Sequence, residues 1–382
     1  CTKQARGSDI GGGLKQLRTL LDARIAGRPF LVNEYASVYW NRYRYEEPFA
    51  VGAYAAFQGF DMLLRHGSPI HVVNGERIFP WIMFHDPICK ASLAQTALLY
   101  GRGDVQEGKR GVRLTFSEKA VSDNMIWSDA LNSMQSRLSL IARFGLEQTD
   151  PSPALRPPAP ADDLRIPLLG GAQVVENTQG FASSLESKAG SFSLADQISV
   201  LRKKGIIDRA NRSNGAYVFE NSTRELYVDT ARNYMSVNTP RFQGLCGEET
   251  AKAELRDVSI ELLKTRGIVS VASLRKEKPI VDSDRLLLTY ATNALCSNMT
   301  FENDSMMKVL YYGENPTMIE TGRFRVRIRN KNADKLKLYP LLMNGKRCAP
   351  VKPLSTKNGT FVAEIDTATL PEGPALFFEL AE

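Results

Sequence analysis

The stretch RPFLVNEY, residues 28–35, decides the interpretation of the chain because it has the pattern of a buried strand that ends in a carboxylate. Pro29 starts the predicted strand, at a position where a missing N–H is tolerated, and residues 30–32 form an apolar run typical of a doubly covered parallel strand. Asn33 and Glu34 then end the run in polar groups. Catalytic groups lie at this end of the strands in parallel α/β barrels, so Glu34 is a candidate functional residue. The alternative is a strand-end glutamate bonded to local backbone or to an arginine.

The segments on either side of this strand alternate between helix and strand patterns. Residues 14–25 carry apolar side chains at helical spacing, and Gly27 ends that pattern. Glu46-Glu47-Pro48 is typical of a helix start, and the pattern continues to Gly59. Residues 60–66 have the pattern of a second strand. This order predicts a parallel α/β array with a helical crossover.

The middle of the chain has a different composition. Residues 112–116 alternate like a strand, and residues 127–144 carry apolar groups at helical spacing. The proline-rich segment 149–167 predicts an extended linker or surface loop. These features indicate a bridging region that ends in a boundary.

The last part of the chain is rich in short strand patterns separated by turn residues. A short helix is expected over residues 194–204, and strands follow at 215–219, 225–229, 268–271, 285–290, 323–328, 336–342, 359–365 and 375–380. Asn344-Gly345 and Asn358-Gly359 are hairpin-type turn signals. Several short strands with turns between them predict an antiparallel β-sandwich.

Composition excludes some classes of protein and leaves others open. Hydrophobic residues make up 43% and charged residues 24% of the chain, as in an ordinary globular protein. No apolar run approaches the roughly 20 residues that span a membrane. The five cysteines lack CxxC spacing, so we expect buried thiols rather than a zinc site or a disulfide framework.

The charges and histidines do not identify a ligand. The net charge is +7, and the densest basic cluster alternates Arg with apolar residues over 323–329. That alternation is typical of a solvated strand face rather than a nucleic-acid surface. His66, His71 and His85 lie close together in sequence, but no carboxylate or thiol lies at a recognised spacing, so we expect no metal site.

The order of motifs along the chain resembles one family of enzymes. The motifs are RPFLVNEYASVYWNRYRYEEPFAVGAYAAFQGFDML, LYVDTARNYMSVNTPRFQG, RLLLTYATNAL, YYGENPTMIE and LFFEL. They resemble the C-terminal portion of bacterial retaining glycoside hydrolases of the (β/α)8-barrel superfamily called clan A, including those similar to family 42 β-galactosidases. The similarity covers most of residues 10–382.

The resemblance implies a fold of the α/β plus all-β class. Residues 1–105 would form the C-terminal part of a TIM-type catalytic barrel, about its last two βα units. Residues 106–170 would be a bridging region with a Pro-rich linker, and residues 171–382 a C-terminal antiparallel β-sandwich. Glu34 matches the nucleophile at the end of the seventh barrel strand.

The chemistry of such enzymes needs a second carboxylate. A retaining glycosidase holds its acid/base and its nucleophile about 5–5.5 Å apart. In the family that this chain resembles, the acid/base follows an Asn on the fourth strand, and this sequence has no counterpart to it. The resemblance therefore implies a fragment that carries the nucleophile without the acid/base and is inactive alone.

The residues around Glu34 are expected to bind the sugar, because aromatic faces cover C–H surfaces and amide or guanidinium groups bind hydroxyls. These substrate-binding candidates are Asn33, Tyr35, Trp40, Asn41, Arg42 and Tyr43. Trp40 is the expected sugar platform, with ordinary packing as the alternative. Asp61 is expected as a further carboxylate at the rim. Asp86, which precedes a proline, is expected to start a turn or cap a helix.

The predicted function is therefore that of a glycoside hydrolase with a carbohydrate substrate, no cofactor, no nucleic acid and no membrane span. The resemblance implies an extracellular or periplasmic location, and the sequence makes no prediction of the oligomeric state. The alternative is a non-catalytic carbohydrate-binding or structural β-sandwich protein with a remnant α/β unit.

Overall fold

The computed structural model describes residues 7–37, 39–67, 86–117, 134–149, 162–167 and 193–382. Within these ranges the α-helices are α1 (Lys15–Leu21), α2 (Glu46–Gln58), α3 (Pro87–Thr96), which the π-helical turn Ala97–Gly101 extends, and α4 (Leu194–Lys203). Short 3-10 helices occupy Met134–Leu140, Thr230–Arg232, Ile280–Asp282 and Thr367–Thr369. The strands are β1 (Leu31–Tyr35), β2 (Met62–Arg65), β3 (Gly111–Phe116), β4 (Arg143–Gln148), β5 (Leu164–Pro167), β6 (Val218–Glu220), β7 (Leu226–Asp229), β8 (Tyr234–Asn238), β9 (Phe242–Gly247), β10 (Lys252–Glu254), β11 (Val258–Lys264), β12 (Gly267–Ser273), β13 (Arg285–Ala291), β14 (Ala294–Ser297), β15 (Thr300–Phe301), β16 (Val309–Tyr311), β17 (Glu314–Ile319), β18 (Arg323–Arg329), β19 (Lys337–Leu341), β20 (Thr360–Asp366) and β21 (Phe377–Ala381).

The first unit is a β-α-β crossover, as the sequence predicts. β1 and β2 pair in parallel with Leu31 opposite Met62, and α2 connects them. α2 begins with Glu46 and Glu47, which are both buried. It ends at Gly59, which has a φ of 66° and takes the left-handed conformation that commonly stops a helix. The predicted alternation of helix and strand in this part of the chain is confirmed.

The helix before β1 is shorter than the apolar pattern over residues 14–25 predicts. Leu14 has a φ of 53°, so α1 begins only at the next residue. The last residues of the pattern, together with Ala26, pair instead with β4. The Ala26 N–H donates to the Leu146 carbonyl at 2.8 Å, and the Leu146 N–H donates to the Arg24 carbonyl at 2.7 Å. Hydrogen bonding of residues 24–26 to β4 therefore takes the place of the last predicted helical turn.

The predicted bridging region contains a parallel sheet, which sequence analysis missed. β3 was predicted, and it pairs in parallel with β4 on one side and β5 on the other. The predicted helix over 127–144 is present in part: Met134–Leu140 is a 3-10 helix, whereas the last two residues of the prediction begin β4. β5 takes the last residues of the predicted linker 149–167. The rest of both predictions, residues 127–133 and 150–161, lies outside the described residues.

Gln58 joins α2 to this parallel sheet. Its buried amide oxygen accepts hydrogen bonds from Nη1 of Arg24 at 3.1 Å and from the Phe144 N–H at 2.9 Å. Its amide nitrogen donates to the carbonyls of Ser139 and Ala142 at 2.7 and 2.8 Å. All four hydrogen-bonding positions of the side chain are therefore used, as a buried amide requires.

The strand-rich part of the chain forms two facing antiparallel sheets. The larger has eight strands in the order β19-β21-β13-β12-β9-β8-β7-β6, and the smaller has four in the order β10-β11-β18-β20. Phe324 and Val326 of β18 and Leu286 and Leu288 of β13 belong to one buried core between them. The arginines that alternate with these β18 residues are exposed, so the expected solvated strand face is confirmed. The predicted antiparallel β-sandwich is present.

The other side of the eight-stranded sheet packs on the helices of the first unit. The rings of Phe49 in α2 and Phe242 in β9 lie 6.2 Å apart, and Gln95 in α3 donates to Ser270 in β12 at 2.9 Å. One buried core extends from Val32 in β1 through α2 to this sheet. β1 and β2 thus lie outermost, with the helices between them and the sandwich.

The cysteines are consistent with the predicted thiols. Cys89, Cys246 and Cys296 are free and buried, and Cys348 is free and partly exposed. Cys1 lies outside the described residues.

Candidate active site at the end of β1

Glu34 lies at a β-bulge near the carboxyl end of β1. Val32 pairs with Leu63, but the next pair is Tyr35 with Arg65, so β1 has one extra residue between these pairs. Bulges bend a strand and redirect side chains, and they are frequent next to active sites. The Glu34 side chain is 61% exposed. The carboxylate is therefore accessible at the position where the sequence predicts a functional group.

His66 is the close ionisable neighbour of this carboxylate. Its Nδ1 lies 3.2 Å from Oε1 of Glu34, and its side chain is 38% exposed. The backbone is fixed as well, because the His66 N–H donates to the Tyr35 carbonyl at 2.9 Å and continues the pairing of β1 with β2. The imidazole can therefore hold the carboxylate in one orientation. His66 was noted in the sequence but was not predicted as a site residue.

The two residues that flank Glu34 have opposite environments. Asn33 is exposed, so its amide is available to a ligand at the strand end. Tyr35 is buried in the core toward the helices. Burial raises the pKa of the Tyr35 hydroxyl to about 12, although the Arg65 charge opposes this. A direct contact between Tyr35 and a sugar stays a prediction, and it would require the ring to leave its buried position.

The helix-covered side of β1 and β2 holds a second group of ionisable residues. The Ser37 N–H donates to Oε2 of Glu47 at 2.5 Å, whereas Oε1 is buried without a partner among the described residues. Burial raises the pKa of Glu47 to about 7, against the lowering effect of the Arg65 charge. Nη1 of Arg65 donates to the Cys89 thiol, and burial raises the pKa of that thiol to about 11. Sequence analysis interpreted Glu47 only as a helix start.

The loop after β1 contacts the segment between β16 and β17, two strands that belong to small two-stranded sheets. Trp40 is fully buried, and its ring lies edge-on to Tyr312 at 5.7 Å. Its indole N–H has no hydrogen-bond partner in the described part of the chain. Packing is thus the role observed for Trp40. The role of sugar platform stays a prediction and needs movement of the neighbouring aromatic groups.

The other predicted substrate-binding residues of this loop also have protein partners. Oδ1 of Asn41, which is buried, accepts from the Tyr43 N–H at 2.9 Å. Nη2 of Arg42 donates to the Asp304 carbonyl at 3.0 Å, and the Arg266 guanidinium lies 5.0 Å from the centre of the Tyr43 ring. Arg42 and Tyr43 are only partly buried, so both still border solvent.

Arg44 and Asp86 form a buried ion pair beneath this loop. Nε and Nη2 of Arg44 donate to the two Asp86 oxygens at 2.7 and 3.0 Å, and both side chains are nearly inaccessible. Arg44 also donates to Oδ1 of Asn293 and to the carbonyl of Ala294, the first residue of β14, which pairs with β17 in a separate two-stranded sheet. Asp86 accepts from the Ile88 N–H at 3.0 Å and caps α3, which confirms the prediction made for it. The pair therefore fixes α3 and the loop after β1 against the start of β14.

Asp61 does not lie at the rim, so that prediction is wrong. It precedes β2, and its Oδ2 accepts from the Phe30 N–H at 2.8 Å at the start of β1. Because the two strands are parallel, this is the end of the pair opposite to Glu34.

The described residues show neither a metal-ligand group nor a membrane-spanning element. No cluster of three or more potential His, Cys, Asp or Glu ligands occurs in this part of the chain. None of its helices combines the length and the apolar character needed to cross a bilayer. His71 and His85 lie outside the described residues. No protein-family model and no curated protein matches this chain.

Proposed function

We propose that the chain carries the nucleophile of a retaining glycoside hydrolase, which hydrolyses an O-glycosidic bond of a carbohydrate, and that this nucleophile is Glu34. The observation that carries the proposal is the exposed Glu34 carboxylate, 3.2 Å from His66, at the carboxyl end of two parallel strands. Catalytic side chains of parallel α/β barrels come from this end of the strands. The resemblance in sequence gives the reaction class.

The environment of Glu34 suits a nucleophile. Attack on an anomeric carbon needs an ionised carboxylate that a sugar can approach, and the Glu34 side chain meets the second condition. A hydrogen bond from His66 would hold one oxygen and direct the other toward the substrate. The adjacent Asn33 amide can bind a sugar hydroxyl.

The proposal includes a barrel in which β1, α2, β2 and α3 are the last two βα units. Support comes from the side of β1 and β2 that faces away from the helices. Leu31 and Leu64 are 54% and 49% exposed, although both lie in strands. Strands of a closed barrel bury such residues against the strands opposite. We expect the acid/base on the fourth barrel strand, outside the strands described above.

Chemical rescue of Glu34→Ala by azide tests whether Glu34 is the nucleophile. In a protein that carries the complete barrel, Glu34→Ala should lose turnover of a dinitrophenyl β-glycoside, whose leaving group departs without protonation. Added azide should restore release of dinitrophenol and give the glycosyl azide of inverted anomeric configuration, because azide replaces the carboxylate in a single displacement. The control is Glu372→Gln, which changes an exposed glutamate on the sandwich. Normal activity of Glu34→Ala without azide would reject the proposal.

A second candidate is a non-catalytic carbohydrate-binding or structural protein. The observation that favours it is the loop after β1, where Trp40 and Asn41 are buried against protein groups rather than open to a ligand. In that case no glycoside would be turned over, and Glu34→Ala would bind oligosaccharides as the unchanged chain does.

A further inference from the structure

One end of the eight-stranded sheet has an inner face that the four-stranded sheet does not cover. The larger sheet ends in β8, β7 and β6, and the smaller sheet ends in β10. A depression of about 690 Å³ lies between these strands, within the usual size range of ligand sites. It is on the sandwich and shares no lining residue with the site at Glu34.

The residues of this face are aromatic and polar rather than apolar. Side chains alternate along a strand, so Leu226 and Val228 of β7 enter the core toward the helices while Tyr227 faces the depression. Ser236 and Asn238 line it from β8. A sheet face that only continued the core between the two sheets would need apolar side chains. This composition instead suits a ligand with both C–H surfaces and hydroxyl groups.

Two arginines stack on the tyrosines of the depression. The Arg212 guanidinium lies 4.1 Å from the centre of the Tyr227 ring, and Arg232 lies 5.0 Å from that of Tyr234. The two rings meet edge to face at 5.8 Å. Each stack is a flat surface that combines an aromatic face with a positive charge.

Among the described residues, two arginines of the lining, Arg224 and Arg256, make no ion pair shorter than 3.9 Å. The other cationic groups of the lining have close carboxylate partners: Arg212 pairs with Glu220 at 2.8 Å, Arg232 with Asp229 at 2.7 Å, and Lys252 with Glu261. Glu220 already accepts from the Arg212 backbone at 2.8 Å, and Glu225 from the Gln106 backbone at 2.7 Å. Arg224 lies 3.9 Å from Glu220, too far for a hydrogen bond. Arg256 is exposed at the rim, and no ion pair within the described residues includes it.

We propose that this depression binds an acidic saccharide, a sugar chain that carries carboxylate or sulfate groups. The exposed guanidinium groups of Arg212 and Arg232, which the tyrosine rings hold flat, would pack along the sugar ring, and the Asn238 amide would bind a hydroxyl group. Arg224 and Arg256 would bind the acidic groups through charge-assisted hydrogen bonds. A nucleic acid fits less well, because Arg212 and Arg232 already stack on Tyr227 and Tyr234, which leaves these rings closed to a base. The inference does not depend on the role of Glu34.

Calorimetric titration of the full chain with three hexasaccharides tests the proposal. The probes are a uronate hexamer, a sulfated hexamer and a neutral hexamer of the same linkage. The acidic chains should bind, and the neutral chain should bind at least tenfold more weakly. Whichever of the two acidic chains binds more tightly identifies the acidic group that the site prefers.

Substitutions of arginines test whether the acidic saccharide binds in this depression. Arg224→Gln with Arg256→Gln should weaken binding of the acidic chain roughly tenfold or more, because each guanidinium supplies charge-assisted hydrogen bonds. Arg327→Gln removes the same kind of charge from the exposed face of β18 and should leave the affinity unchanged. If the double variant does not fold, Arg256→Gln alone gives the test, because its side chain is exposed. Equal binding of the neutral chain, an equal effect of Arg327→Gln, or tighter binding of a single-stranded oligonucleotide that displaces the sugar would each overturn the proposal.

Discussion

The two sides of the β1–β2 pair carry ionisable groups in opposite environments. On the open side, Glu34 and His66 contact each other and remain accessible to solvent. On the side covered by α2 and α3, Glu47, Arg65 and Cys89 are packed together, and burial raises the pKa of Glu47 to about 7. Glu34 on the open side is followed in sequence by Tyr35 on the covered side, and His66 on the open side follows Arg65 on the covered side. Neighbouring side chains of a strand point to opposite sides.

This difference indicates which carboxyl group can act as a nucleophile. A nucleophile has to be ionised and reachable by the sugar. Glu47 is enclosed, and desolvation favours its protonated form. Glu34 is reachable, and a bulge directs it away from the helices. The covered side therefore holds the unit together, while the open side is available for chemistry.

The largest expected effect comes from the Arg44–Asp86 ion pair, which fixes the covered side to the start of β14. Asp86→Ala would leave the Arg44 charge buried and remove the cap of α3, so we expect a loss of about 3–5 kcal/mol in the free energy of unfolding. Urea denaturation followed by circular dichroism measures this loss. Glu34→Gln is the matched control on the open side, with a change of about 0.5 kcal/mol or less. A loss below about 1 kcal/mol for Asp86→Ala would contradict the buried, hydrogen-bonded pair.

A smaller effect concerns the pH dependence of stability. The pKa of Glu47 rises from 4.5 to about 7 on folding, so the folded state binds more protons than the unfolded state between these values. Stability therefore falls as pH rises from about 4.5 to about 7. Glu47→Gln removes this contribution and should gain on the order of 2 kcal/mol relative to the unchanged chain between pH 5 and pH 8.

Glu46 provides the matched comparison for this measurement. Burial raises its pKa to about 8, against hydrogen bonds from Ile10 and Ser8. The difference between Glu46→Gln and the unchanged chain should therefore continue to change up to about pH 8. If the free energy of unfolding of the unchanged chain and of both variants changed equally with pH, folding would raise the pKa of neither carboxyl group, which would contradict their burial.

The smallest expected effect compares two adjacent leucines of β2. Leu63 packs against the core on the covered side, and Leu64 is 49% exposed on the open side. Leu63→Ala should cost about 1–2 kcal/mol, less than a fully buried leucine, whereas Leu64→Ala should cost about 0.5 kcal/mol or less. Thermal unfolding of both variants measures the ratio. Equal losses would mean that both sides of the pair are covered.

Patterns within single segments predicted much of the fold. Alternation over residues 323–329 predicted both the strand and its exposed arginines, because one face of that strand is buried. Glu46-Glu47-Pro48 and Gly59 correctly predicted where the crossover helix α2 begins and ends. Asp86 before a proline predicted the cap of α3.

Contacts between distant segments account for the predictions that did not hold or stay open. Residues 134–144 have apolar groups at helical spacing, but β4 forms because its backbone pairs with β3 and with residues 24–26. Trp40 suits a sugar platform by residue type, yet it packs on Tyr312, which is far away in sequence. The role of His66 depends on which residues the parallel pairing places beside Glu34, and no local pattern specifies that neighbour.

Covalent trapping tests the central claim, that Glu34 is the nucleophile, most directly. A 2-deoxy-2-fluoroglycosyl fluoride needs little help from a general acid, since fluoride is a good leaving group, and the 2-fluoro group slows hydrolysis of the glycosyl–enzyme ester. Incubation followed by proteolysis and mass spectrometry should find the fluorosugar on the peptide that contains Glu34, and no label in Glu34→Gln. A label on another carboxylate, or a label that persists in Glu34→Gln, would contradict the account.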